Sequence, residues 1–133
     1  MSDANVRLVR GLYDAFKRGE IATIISALTP EIDWHVLGNP NDYPTIGRWT
    51  GPDGVQEFFR LVAETEEMIE FLPQDFCAVE DKVFVLGRYA WKVRKTGTPL
   101  ASQWCHVLTI NDGKVSRFRE FTDTASFAAS YRA

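Results

Sequence analysis

The chain has 133 residues, 45% of them hydrophobic and 13% aromatic with four tryptophans, enough apolar material for one domain with an aromatic-rich core spanning residues 1–133. Its net charge of −3 and pI near 5.4 give no basic footprint for nucleic acid or an anionic membrane surface. The two cysteines lack CxxC or metal-ligand spacing, residues 1–5 lack the features of a signal peptide, and no apolar run reaches membrane-spanning length, so the expectation is a cytoplasmic protein without a resident metal or cofactor.

Val6, Val9, Leu12, Tyr13 and Phe16 follow helical spacing, with Asp3 or Asn5 as N-cap candidates and Gly19 as the stop signal. Tyr13 on this apolar face reads first as a core aromatic, though its hydroxyl can reach a pocket. A second, shorter helix runs from Ile21 to Leu28 and ends before Pro30. Residues 31–37 read as a strand with Ile32, Trp34 and Val36 on one face and Asp33, His35 and Leu37 on the other. Burial favours the tryptophan face inward; His35 lines a pocket only if the strand is covered on both sides, and is otherwise partly solvated. Residues 41–50, which include Tyr43, read as a loop able to form a rim.

Gly51-Pro52-Asp53-Gly54 opens a third helix with Val55, Phe58, Phe59, Leu61 and Val62 on its apolar face. Its tail, Glu64 to Glu67, reads as a solvated acidic end. Strands are expected at 75–79 and 83–94. In the second of these Val85, Gly87, Tyr89, Trp91 and Val93 share one face, opposite the basic residues Arg88, Lys92 and Arg94.

The last hairpin carries the strongest local signal: two β-rich runs, 103–110 and 115–122, flank an Asn-Asp-Gly turn. Trp104, His106, Leu108 and Ile110 share a face. A three-residue loop brings Phe118, Glu120 and Thr122 onto that face, whereas a two-residue loop brings Arg117, Arg119 and Phe121. Unpaired arginines inside would be costly, and one glutamate can pair with a histidine. Glu120 is therefore expected inward, near His106, ahead of a short terminal helix capped by Asp123. The whole order, α-α-β-α-β-β-β-β-α, describes an α+β domain in which a curved antiparallel sheet wraps around helices on one face.

Residues 13–20, 34–38, 51–55 before Phe58-Phe59, and 112–123 resemble the nuclear transport factor two-like superfamily, in particular its SnoaL-like and ketosteroid-isomerase-like branch. The resemblance implies a cone-shaped domain around one deep apolar pocket, commonly in a homodimer, and members that are isomerases, cyclases, dehydratases, epoxide hydrolases or silent binding modules. Anchored on Gly38, His35 matches the aspartate base of the steroid isomerases; anchored on Gly97, His106 matches their protonated aspartate. The oxyanion tyrosine, however, matches Leu12, with Tyr13 one place off, and the supporting tyrosine matches Phe59, so a steroid-isomerase network is absent. The resemblance places Tyr89, Trp91, Phe118 and Glu120 on the pocket side.

The sharper expectation is an isomerase, cyclase or dehydratase that moves protons on a small apolar substrate bearing a carbonyl or hydroxyl group. Its catalytic candidates are His35, His106 and Glu120. Tyr13, Trp34, Tyr43, Phe58, Phe59, Val62, Tyr89, Trp91, Trp104 and Phe118 are the candidate substrate contacts. The alternative is a non-catalytic ligand-binding or dimeric module in which His106 and Glu120 form a satisfied structural pair.

Overall fold

The computed structural model describes residues 2–133. Four helices and six strands follow one another as α1 (Ser2–Lys17), α2 (Ile21–Ser26), β1 (Leu28–Val36), β2 (Gly47–Thr50), α3 (Gly51–Thr65), β3 (Glu66–Val79), β4 (Lys82–Val93), β5 (Pro99–Asn111), β6 (Lys114–Thr122) and α4 (Thr124–Arg132). The strands form one curved, unclosed sheet in the order β2-β1-β6-β5-β4-β3, antiparallel except for the parallel pair β1–β6. Helix α1 packs on β3 and β4, α3 on β1 and β2, and α4 on β5, all contributing to one aromatic-rich core. Among the described residues no helix is long and apolar enough to cross a membrane.

The expected order holds with one strand added. Helix α1 starts at Ser2, so Asp3 and Asn5 lie inside its first turns rather than at its cap. It ends in a Schellman motif: Gly19, at φ +75°, donates to Phe16 O, and Glu20 donates to Ala15 O. Residues 47–50, expected in a loop, form β2 against β1. Strand β1 begins at Leu28, upstream of the expected start, because Pro30 falls in a stretch where pairing with β6 is irregular and costs no ladder bond.

The larger correction is at β3, which starts at Glu66. Helix α3 stops at Thr65, and Glu66 is already extended (φ −136°, ψ 147°), the first residue of a fourteen-residue edge strand. Pro73 lies two residues before the first strand expected here, at 75–79, and inside the strand observed. An edge strand tolerates it, here beside a register shift between Pro73 and Asp75. The expected solvated acidic tail therefore turns inward, and Glu66 is only 5% exposed.

The hairpin reaches the expected face by another route. Asn111 pairs with Lys114 around Asp112 (φ 51°) and Gly113 (φ 76°), a two-residue turn with both central residues left-handed. The register then shifts by one, from Ile110↔Val115 to Thr109↔Arg117, leaving Ser116 as a bulge. The bulge restores the parity that the short turn would have reversed, and His106 lies opposite Glu120.

Candidate functional site

The inner faces of β1, β4, β5 and β6, with α1, α3 and the segment around Tyr43, enclose a cavity of about 100 Å³. Its lining is mostly apolar, including Leu12, Phe16, Phe58, Phe59 and Val62, and its polar groups come from residues that include Tyr13, His106, Glu120, Glu66 and Tyr43.

A line of hydrogen bonds runs through the wall. The Tyr13 hydroxyl lies 2.7 Å from Nδ1 of His106, and His106 Nε2 lies 3.0 Å from Glu120 Oε1. Tyr89 bonds Glu120 Oε2 at 3.1 Å and Thr122 Oγ1 at 2.8 Å. Burial, reinforced by the negative charge of Glu120, raises the pKa of the Tyr13 and Tyr89 phenols well above the usual tyrosine value, so both remain donors. A carboxylate only accepts, which assigns the Nε2–H tautomer to the neutral imidazole. Tyr13 O–H then donates into Nδ1, and Tyr89 O–H donates to the second carboxylate oxygen. Both imidazole nitrogens and both Glu120 oxygens are thereby engaged.

Packing holds this line in place. The His106 ring stacks on Trp104 with centroids 4.0 Å apart and lies nearly parallel to the Tyr13 ring at 5.8 Å. Trp104 in turn lies across Gly87, where an added Cβ would come within 2.4 Å of the indole and 2.6 Å of the Leu72 carbonyl oxygen. Only a glycine leaves room for the ring that supports the histidine.

A second carboxyl group faces the cavity. Burial lifts the Glu66 pKa to about 7, against a hydrogen bond from the Tyr131 hydroxyl that favours the charged form; the charge of Glu120 adds to the rise. Glu66 is the site residue the sequence reading missed. Alternation could not point to it: Glu66 and Phe71 are five residues apart and both turn inward only because the register shifts between Met68 and Glu70, and an acidic run at the end of a helix surrounds Glu66.

Of the expected site residues, His106, Glu120, Tyr13, Trp34, Tyr43, Phe58, Phe59, Val62, Tyr89, Trp91 and Phe118 line the cavity. Trp34 stacks face to face on Phe118 at 3.8 Å, as their direct pairing across β1 and β6 dictates. Trp104 is buried behind the wall as the support of His106 rather than on the cavity surface. His35 is not brought to this site. Alternation along β1 sends it to the opposite face, where it pairs with Arg48 on β2 and Arg119 on β6. Burial and those two arginines lower its pKa. Among the described residues no three or more His, Cys, Asp or Glu side chains converge at metal-binding spacing.

A helix-lined, half-open sheet around one internal cavity defines the nuclear transport factor two-like class of α+β protein. The SnoaL-like domain family matches residues 9–118, and the chain belongs to it. Among similar solved structures is a nuclear transport factor two-like protein of unknown function from Burkholderia pseudomallei, with 27% identity, 98% of each chain covered and a TM-score of 0.89. TerC, co-crystallised with polyporic acid, shares 24% identity over 98% of this chain and 99% of its own, with a TM-score of 0.84. A candidate SnoaL-like polyketide cyclase from Mesorhizobium loti shares 13% identity over 86% and 96% of the two chains, with a TM-score of 0.73. No curated protein sequence matches this chain.

Proposed function

We propose that the protein is a cofactor-independent enzyme that isomerises, cyclises or dehydrates a small, largely apolar substrate by proton transfer next to a carbonyl or hydroxyl group. The observation that carries this reading is the convergence of two separate proton-handling groups, Tyr13 backed by His106 and Glu120, and Glu66 backed by Tyr131, on one apolar cavity. A carboxyl group with a pKa of about 7 is half ionised near neutrality, the condition under which a group both takes and returns protons efficiently.

Glu66, as carboxylate, removes the proton from the carbon beside the carbonyl. The bond electrons move into the carbonyl, and the oxygen becomes an enolate. Tyr13 supplies the hydrogen bond that holds this charge. At rest its own proton points at His106 Nδ1, and when the substrate oxygen binds, the same O–H turns from Nδ1 to that oxygen, with no proton drawn from elsewhere. Glu66, now an acid, returns its proton to another carbon, and no electron is gained or lost. His106 thus acts through Tyr13, because both its nitrogens are occupied.

That same occupancy supports a second reading, a binding module whose buried line is purely structural. Turnover separates the two. On a converted ring ketone, Tyr13→Phe and Glu66→Gln are expected to lower kcat by about 100-fold or more, while His35→Ala leaves it unchanged. Ligands that raise the melting temperature without ever being converted would favour the binding module.

The outer sheet face supports a homodimer. Leu86 and Phe121 remain 51% and 45% exposed and flank Cys105 in one cross-strand row. Beside them lie the opposite-charge pairs Arg88–Glu70 and Arg119–Asp33–Arg48, so a second copy related by a two-fold axis meets both apolar and complementary surface. Sedimentation should give twice the 15.1 kDa chain mass, and a monomer at micromolar concentration would refute it.

A further inference from the structure

Two buried polar atoms on the cavity-lining residues have no partner: Nε1 of Trp34 and the hydroxyl of Tyr43. Trp34 is 6% exposed and Tyr43 5%. Buried donors are bonded in the great majority of proteins, and an unmade bond destabilises the empty state. The neighbouring phenols Tyr13 and Tyr89 are engaged in the His106–Glu120 line, and Glu66 accepts from Tyr131 at Oε2. Unpartnered buried polar atoms also occur away from the cavity, on Thr29, Asp33, His35, Trp104 and Thr109; Trp34 and Tyr43 are the two among them whose residues line it.

They stand at different parts of it. Trp34 belongs to the aromatic cluster with Phe118 and the α3 residues Phe58 and Phe59. Tyr43 stacks on Phe127 and Tyr131 of α4, at 5.0 and 5.6 Å. After burial itself, the negative charges of Glu120 and Glu66 are the strongest influences raising the Tyr43 pKa, so this hydroxyl sits in a field of negative sign.

We infer that Trp34 and Tyr43 are the recognition pair of the cavity and that its ligand is a neutral ring compound with two oxygens, an acceptor taken by the Trp34 N–H and a hydroxyl taken by Tyr43 beside Glu66. An indole N–H only donates, so the oxygen it meets is a carbonyl, ether or hydroxyl oxygen. At the Tyr43 end a ligand hydroxyl can donate toward the carboxyl groups, whereas a ligand carboxylate would be buried against like charge with little water to screen it. The cavity volume, about 100 Å³, is near that of engineered cavities that take a single benzene ring, which sets the ligand core at about one ring unless the walls move. This specificity rests on the cavity taking a ligand as proposed above, but not on that ligand being converted.

Three one-ring probes test it by calorimetry: 4-hydroxyacetophenone, acetophenone and 4-acetylbenzoate. Wild-type protein is expected to bind them in that order of decreasing affinity. Tyr43→Phe should weaken 4-hydroxyacetophenone by about 5- to 50-fold and bring it level with acetophenone; Trp34→Phe should weaken both ketones and keep their ranking. Because Tyr43→Phe deletes only an unpartnered hydroxyl, the ligand-free variant should melt no lower than wild type, a readout a structural role for that hydroxyl would move the other way. Equal binding of 4-acetylbenzoate, unchanged affinities in both variants, or no binding of any probe would overturn the inference. Binding with the expected ranking but no conversion would remove the enzyme reading and leave this one standing; conversion with unchanged KM in both variants would do the reverse.

Discussion

At the scale of single residues, burial sets the protonation behaviour of the groups that line the cavity. Glu66 and Glu120 sit on the same cavity, yet the Glu120 carboxylate has two partners, His106 and Tyr89, whereas Glu66 has one phenol, and burial lifts Glu66 to about 7. The consequence for stability has a definite sign. An acid with pKa 4.5 in the unfolded chain and about 7 in the folded one binds more protons when folded, so its contribution is fully present below pH 4.5 and is lost as pH rises through 7. The shift corresponds to about 3 kcal/mol, across a region also faced by Tyr131 from α4, Tyr43 and Glu120. Glu66→Gln removes this dependence: its melting temperature should fall several degrees less than that of wild type between pH 5 and pH 8. Identical pH profiles would mean that Glu66 is not held in its neutral form. This group was illegible in the sequence, since its neighbours Glu64 and Glu67 are exposed and nothing in composition separates it from them. His106 and Glu120 were legible, because strand alternation and the cost of burying Arg119 left one arrangement.

Elements deliver those residues by their geometry, and there the hairpin is the instructive case. The choice of face was readable from the energetics of the side chains, but not the device that achieves it. The turn is the two-residue kind that Asn-Asp-Gly favours, and the bulge at Ser116 reverses its parity. No residue type announces a bulge as Gly announces a turn. Deleting Ser116 should remove the bulge and leave His106 opposite Glu120 in a regular ladder, so that variant should still fold cooperatively, whereas deleting both Ser116 and Arg117 should set Phe121 opposite His106 and abolish cooperative folding. A stable, cooperative double-deletion variant with native near-ultraviolet circular dichroism would show that the residue count from the turn does not set the register. The edge strand β3 was misread for a related reason: Pro73 forbids a ladder bond in a central strand but not on an edge, and edge position is a property of the sheet rather than of the segment.

Over the whole molecule, the two histidines mark the two sides of the sheet. His106 serves the cavity. His35 sits among Arg48, Arg119 and Asp33 on the face away from the cavity, apart from the proposed proton-transfer groups. Matching His35 to a family position in the sequence could not reveal this, because the match fixes place along the strand and not which face the partner strands leave covered. The fold itself was legible nearly throughout, since helix periodicity, strand alternation and turn chemistry agree with one another. What the fold creates in addition is the meeting of α1, β3, β5 and β6 around one space, which places Tyr13, Glu66, His106 and Glu120 within one wall.

The most direct test of that arrangement as a proton-transfer site is solvent deuterium incorporation. A one-ring ketone that binds the protein is incubated with it in D2O, and exchange at the carbon beside the carbonyl is followed by proton NMR. The wild-type protein is expected to accelerate exchange over buffer at neutral pH, with the acceleration lost in both Glu66→Gln and Tyr13→Phe. Exchange at the buffer rate for every ketone shown to bind, or acceleration that survives both substitutions, would contradict the assignment of proton transfer to this cavity.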